Sequence, residues 1–305
     1  MTLANDLEER FRVPERGFRL ADRDPADRAG LTKKQAKALR ADDLERLEDL
    51  QARLYAEGRR SLLVVLQGLD ASGKDGTIKH VMSGVNPQGV SVTSFKQPTP
   101  GELQHDFLWR TQLALPARGH IGVFNRSHYE EVLVVRVHPE LLAQEAVDPS
   151  RAAHPKFWTR RLEEISAWER HLTNSGTRTI KFFLHISKAE QLKRFLARAE
   201  ESEKNWKFSA SDLHEHHYFD AYQHAYEAAL KATSTAEEPW YVIPADHKWL
   251  LRAAVATIIV AHLSDMDPRY PVPSERQLAE TRAAVKQLAS AENGAGRLPV
   301  SKPSE

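Results

Sequence analysis

Cysteine is absent from the 305 residues. That excludes disulfides, thiolate-held zinc and a cysteine nucleophile, and it fits a reducing cytoplasm. Long apolar runs are missing too. The longest, residues 253–261, is interrupted by Thr257 and is too short to cross a bilayer. The opening residues, MTLANDLEERFRV, carry no basic segment followed by an apolar one, so no secretory leader is expected. Neither charge is in excess: 43 Lys and Arg against 42 Asp and Glu leave a net +1. Bulk charge therefore names no polyanion partner, and local clusters carry that question. Neither a nucleic acid nor a membrane is expected as a partner.

What is present reads as one α/β domain. Residues 1–30 are charged and punctuated by Pro14, Gly17, Pro25 and Gly30, which predicts an irregular segment. Leu44, Leu47, Leu50 and Leu54 then keep helical spacing up to Gly58. Leu62 to Leu66 is a short continuous apolar run, the pattern of a parallel strand buried on both faces. Similar runs follow at 90–95, 121–124, 180–186 and 240–243. Helical stretches separate them, at about 101–113, 127–143, 155–173, 188–200, 211–232 and 247–265. This alternation predicts a three-layer α/β/α sandwich around a five-stranded parallel sheet. The expected organisation is a domain over 31–270, then a helix and flexible tail over 271–305, mobile from about 285.

Gly68-Leu69-Asp70-Ala71-Ser72-Gly73-Lys74 fits G-x-x-x-x-G-K between the first strand and a helix. Glycines let backbone amides fold around an anion at a positive helix end. Lys74 adds a full charge for terminal phosphates. Gly68, Ala71, Ser72, Gly73, Gly76 and Thr77 are therefore expected to line a phosphate site. The residue after Lys74 is Asp75, where the pattern asks for Ser or Thr. Asp70 lies inside the loop, where a carboxylate would repel phosphate unless it points away or a cation bridges it. Asp70 is thus expected to hold Mg²⁺ (or Mn²⁺), directly or through water, or to help activate the acceptor phosphate oxygen. A plain glycine turn capping a helix is the bland alternative.

A second segment, residues 122–131 (GVFNRSHYEE), follows the third strand. With GLDASGKDGT it closely resembles the polyphosphate kinase 2 family, most of all its class III branch. Two further stretches share the resemblance: Lys96-Gln97-Pro98-Thr99 through Arg110, and Arg194 through Asp212, which is similar to the family's lid. The likeness spans about residues 15–270 and implies a thymidylate-kinase-like fold with a helical lid. It also implies Mg²⁺-dependent phosphoryl transfer between inorganic polyphosphate and adenine nucleotides (AMP, ADP, ATP), by a homodimer or homotetramer. Many members have Asp where Asn125 stands. Asn125 keeps an oxygen ligand but removes a charge. Glu130 is the expected seat of AMP-versus-ADP preference.

Phosphoryl transfer needs cations around an anionic transition state. Lys74, Arg126, Arg194 and Arg198 are the candidates, the last two one turn apart on a predicted lid helix, with Lys204 and Lys207 just beyond. A solvated basic helix face is the plainer reading of that run. Lys79 and Arg118 are candidates for a basic groove along the polyphosphate, or equally plain surface charges. His214, Glu215, His216 and His217 lack the spacing of a helical zinc motif and are expected to be a plain helix surface or to make inter-helix hydrogen bonds. Tyr218, Phe219, Tyr222 and Tyr226 are expected in a core or subunit interface. Two rivals remain: an ATP-dependent nucleotide kinase of thymidylate-kinase type, and a non-catalytic polyphosphate- or nucleotide-binding regulator.

Overall fold

A computed structural model describes residues 3–154, 156–200 and 210–295. Five strands form its sheet: β1 (Ser61–Gln67), β2 (Val90–Ser94), β3 (Ile121–Asn125), β4 (Thr177–His185) and β5 (Trp240–Pro244). All pairings are parallel and the order is β2-β3-β1-β4-β5. β1 is central and wholly buried, as its unbroken apolar run requires.

The helices are α1 (Leu3–Phe11), α2 (Lys33–Glu57), α3 (Lys74–Val81), α4 (Trp109–Leu113) and α5 (Glu130–Val137). They continue with α6 (Phe157–Asn174), α7 (Lys188–Glu200), α8 (Ala210–His217), α9 (Phe219–Thr233), α10 (Lys248–Met266) and α11 (Glu275–Ala295). α10 packs on α1, α2 and α3, while α5, α6 and α9 pack on one another. These are the outer layers of the expected sandwich. Thr32 and Gln35 close a reciprocal capping box at the start of α2, and Gly58 ends it in the left-handed conformation.

Several local expectations change. The N-terminal segment is not wholly irregular: α1 buries Leu7 and Phe11, one helical turn apart, and Val13 N then donates to Trp240 O at 2.9 Å. The stretch 101–113 is a short 3-10 turn followed by α4, because the Asp106 side chain caps the Leu108 amide between them. α5 stops at Val137, and Pro139 starts a 3-10 turn instead. The stretch 211–232 is two helices that break at Tyr218.

α10 is long and apolar enough to cross a membrane by length and composition, contrary to the shorter run read from sequence. Its Ala253–Val260 segment is buried, so it serves as a core helix. Residues 1–269 form one compact unit and 270–305 a second. The second contains α11, so residues 285–295 are helical and not the expected tail. Ala283, Ala284, Leu288 and Ala289 are strong helix formers.

Candidate active site

The loop Gly68–Lys74 leaves the C-terminal end of β1, where the chain departs between β3 and β4. Crevices at such switch points are the usual ligand sites of parallel sheets. Gly68 is needed there: an added Cβ would meet Ser72 Oγ at 2.7 Å and Leu184 O at 3.0 Å. Ala71 and Gly73 take positive φ, which curls the amides inward. Lys74 opens α3, buried, and its Nζ donates to the carbonyls of Gly68 and Leu69. Burial, with Arg126 nearby, lowers its pKa to about 8 against the pull of Asp70 and Glu130. Thr77 Oγ1 donates back to Gly73 O at 3.0 Å, so that hydroxyl braces the helix start. Gly76 faces Arg252, whose Nη2 lies 3.4 Å from where a Cβ would be.

The cation that bridges Asp70 is Arg126. Its Nη2 donates to Asp70 Oδ1 at 2.7 Å. Arg126 follows β3 with φ +64°, and its amide donates to Leu66 O, which pins the reversal beside the loop. Burial would raise the Asp70 carboxyl, but Lys74 and Arg126 outweigh it and hold it below its ordinary range. Glu130 shifts the other way: burial raises it, opposed by Arg126 and Lys74. Asn125 Nδ2 donates to Asp75 Oδ1 at 2.9 Å, while Asn125 Oδ1 is buried without a hydrogen-bond partner. A carboxylate in place of Asn125 could not make that donation.

Arg194 is not poised as an arginine finger. It is buried, and its Nη1 donates to the carbonyls of Ala71 (2.9 Å) and Ser72 (3.1 Å). Nη2 reaches Ala245 O and Asp246 O, and Nε pairs with Glu190. The side chain thus ties the loop to the turn after β5. Arg198, one turn on, is half-exposed, and its charge reaches Asp70. Lys204 and Lys207 lie outside the described residues. Gln191, unremarked in the sequence, donates to Asp70 O at 3.0 Å and contacts His216 on α8 at 2.7 Å. Glu215 joins His138 and Tyr222, the inter-helix bonding expected for that segment.

Two cavities meet at this point. A small one, about 140 Å³, is lined by Gly68, Asp70, Arg126, Glu130, Tyr222 and Tyr226 among others. A larger one, about 580 Å³, runs past Lys96, Phe107, Arg126, Glu130, Leu141 and Glu145. Arg126 and Glu130 line both. Tyr222 and Tyr226 therefore wall a cavity as well as packing the core, where Tyr226 stacks on Phe183. Their helical spacing alone could not show which neighbour they face. Lys79 and Arg118 are exposed and line neither cavity. Arg118 precedes β3, so it sits at the N-terminal end of the strands, opposite the loop.

Beneath Arg126, a buried network fixes the reversal. His128 and Tyr129 reach Glu169 on α6, and Lys181 on β4 pairs with the same carboxylate. Burial pushes the Glu169 carboxyl up, but Lys181 and His128 outweigh it and keep it low. Among the described residues, no three His, Asp or Glu side chains gather as a metal cage. Asp70, Asp75 and the unpartnered Asn125 Oδ1 instead fit a cation completed by substrate phosphates.

A family model described as Polyphosphate kinase 2 matches residues 30–271. A protein of Rhodopseudomonas palustris named ADP-polyphosphate phosphotransferase is 52% identical over 245 residues, 80% of this chain and 85% of that one. The AMP/ADP-polyphosphate phosphotransferase of Meiothermus ruber is 46% identical over 268 residues, covering 87% and 96%. The crystal structure of polyphosphate kinase 2 from Arthrobacter aurescens superposes with a TM-score of 0.84 at 40% identity. It covers 94% of this chain and 99% of its own.

Proposed function

The chain belongs to the polyphosphate kinase 2 family, and we propose that it binds the end of a polyphosphate chain at the Gly68–Lys74 loop and a nucleotide in the larger cavity. It is a phosphotransferase that moves a phosphoryl group between inorganic polyphosphate and AMP or ADP. One observation carries the placement of substrates: Arg126 and Glu130, with Val134 and Glu215, form the wall shared by both cavities.

An oxygen of the nucleotide phosphate attacks the terminal phosphorus of the chain. The bridging P–O bond breaks, and a polyphosphate one unit shorter leaves. Loop amides and Lys74 hold the donor. Arg126 exchanges its Asp70 partner for the transferring group and stabilises its charge. Arg198, whose charge reaches Asp70, adds a further cation over the phosphates and limits hydrolysis. Arg194 and Gln191 hold the loop in shape. Asp70 with Asp75 or Asn125, together with the phosphates, would hold Mg²⁺ (or Mn²⁺), which would supply charge neutralisation where the two chains meet. A second transfer converts ADP to ATP. A cytoplasmic homodimer or homotetramer fits this reading.

The donor is the discriminating variable. The purified protein with AMP, Mg²⁺ and polyphosphate should yield ADP and then ATP by chromatography. ADP formed from AMP only when ATP replaces polyphosphate would instead support a nucleotide kinase, and turnover with neither donor would support a binding protein.

A further inference from the structure

Beside the loop, on the layer formed by α2, α3 and α10, stand cations that the transfer step does not use. Arg252, on α10, places Nη2 3.4 Å from where a Cβ on Gly76 would be, so it lies against the first turn of α3. Arg40, on α2, is half-buried, and its Nε is enclosed without a hydrogen-bond partner. Burial lowers the Arg252 pKa, and the nearby Arg40 and Arg194 lower it further. Among the described residues, no carboxylate pairs with Arg40 or Arg252, whereas Arg46, farther along α2, pairs with Asp43.

The two helices run side by side in the same direction: Thr257 on α10 donates to the buried Asp43, and Arg46 reaches Ser264 Oγ at 3.3 Å. Their first turns therefore lie together. Lys33, Lys37 and Arg40 fall at i, i+4 and i+7 and share one face of α2. That face spans about 10 Å along the helix. Lys33 and Lys37 are exposed, and no Asp or Glu occurs between Asp27 and Asp42. Cations in the first turns of a helix oppose its dipole, so the stability of α2 does not account for them.

We propose that Arg252, Arg40, Lys37 and Lys33 form a track that holds the polyphosphate chain behind its reacting end. The proposal rests on the loop being the seat of that end. Polyphosphate repeats a negative charge along a line, and a line of unpaired cations leading away from the loop is its complement. Arg252 and Arg40 come first, with guanidinium groups that take phosphate oxygens two at a time. Lys37 and Lys33 follow as point charges. A donor too short to leave the loop gains nothing from the track, and a long one is held by it. The track therefore makes the enzyme favour long chains.

The test measures kcat/KM per chain for tripolyphosphate and for long-chain polyphosphate, with AMP saturating. In Lys33→Ala/Lys37→Ala, a change confined to exposed side chains, the long-chain value should fall roughly fivefold or more, and clearly more than the tripolyphosphate value. Arg40→Gln/Arg252→Gln, checked by its melting curve, should show the same contrast more strongly. Equilibrium dialysis of long-chain polyphosphate at several salt concentrations reads binding without turnover. The slope of log affinity against log salt should become shallower by about 0.7–0.9 for each cation removed, while the KM for AMP stays at its native value. Equal losses for short and long donors, or an unchanged salt slope, overturn the proposal. Polyphosphate binding that depends on the track, without transfer to AMP, would sink the proposed function and leave the track standing. Transfer to AMP whose chain-length dependence ignores these residues would do the reverse.

Discussion

Arg126 Nη2 donates to Asp70 Oδ1 at 2.7 Å, joining the end of β3 to the loop that follows β1. This contact accounts for a carboxylate inside a phosphate cradle. Lys74 and Arg126 flank Asp70 and keep it ionised. In the absence of substrate each charge satisfies another, and a phosphate must compete for both cations.

Asp70→Asn keeps the loop's shape but removes the charge that positions Arg126 and, in this account, helps hold Mg²⁺. Turnover should drop by about 10²–10³, the usual scale for one preorganised electrostatic partner. Steady-state kinetics and a melting curve check this together. Near-native activity would remove Asp70 from the metal site.

Lys74 gives a pH signature. Its pKa near 8 lies below its ordinary value because it is buried. Phosphate binds the charged form, so binding is strongest below that pKa and weakens as pH rises through it, by at most about tenfold per unit for one group. Polyphosphate affinity from about pH 6.5 to about pH 9.5, with proton uptake measured by calorimetry in buffers of different ionisation heat, tests the sign. Lys74→Ala should abolish the dependence and lower turnover by orders of magnitude.

Arg194 and Arg198 should separate by what they change. Arg194→Ala strips charged hydrogen bonds from four carbonyls, three of them buried, and should cost about 3 kcal/mol of stability. For a unit of this size that lowers Tm by about 6–12 °C. Arg198→Ala should leave Tm within about 2 °C, as a change at a partly exposed site does, yet reduce kcat. Equal Tm losses in both variants would contradict the assignment of one as a strut and the other as a lid group.

Much of this was legible beforehand. The β1–loop–α3 unit and all five strands follow from short-range pattern. The failures share one cause. Arg194 and Arg198 look alike on a helix face, and only the carbonyls of Ala71, Ser72 and Ala245 across the gap decide which is buried. Arg118 lies close in sequence to β3, but in a parallel sheet the start of a strand lies at the opposite end from the loop after β1. Tyr222, Tyr226 and Gln191 became site residues because α7 and α9 converge on the loop, which no spacing within either helix records.

Glu130 lines both cavities, so an acceptor with an extra phosphate must press negative charge against it. Glu130→Ala should therefore raise kcat/KM for ADP relative to AMP, by about fivefold or more if roughly 1 kcal/mol of repulsion is relieved. Competition assays with both nucleotides present would read the shift. An unchanged ratio would move the specificity elsewhere.

The most direct measurement is a crystal structure with AMP and a short polyphosphate bound. The account predicts the base in the 580 Å³ cavity, the AMP phosphate within hydrogen-bond reach of Arg126, and the polyphosphate end against Gly68–Lys74. AMP seated in the loop, or a polyphosphate lying away from Arg126, would contradict it.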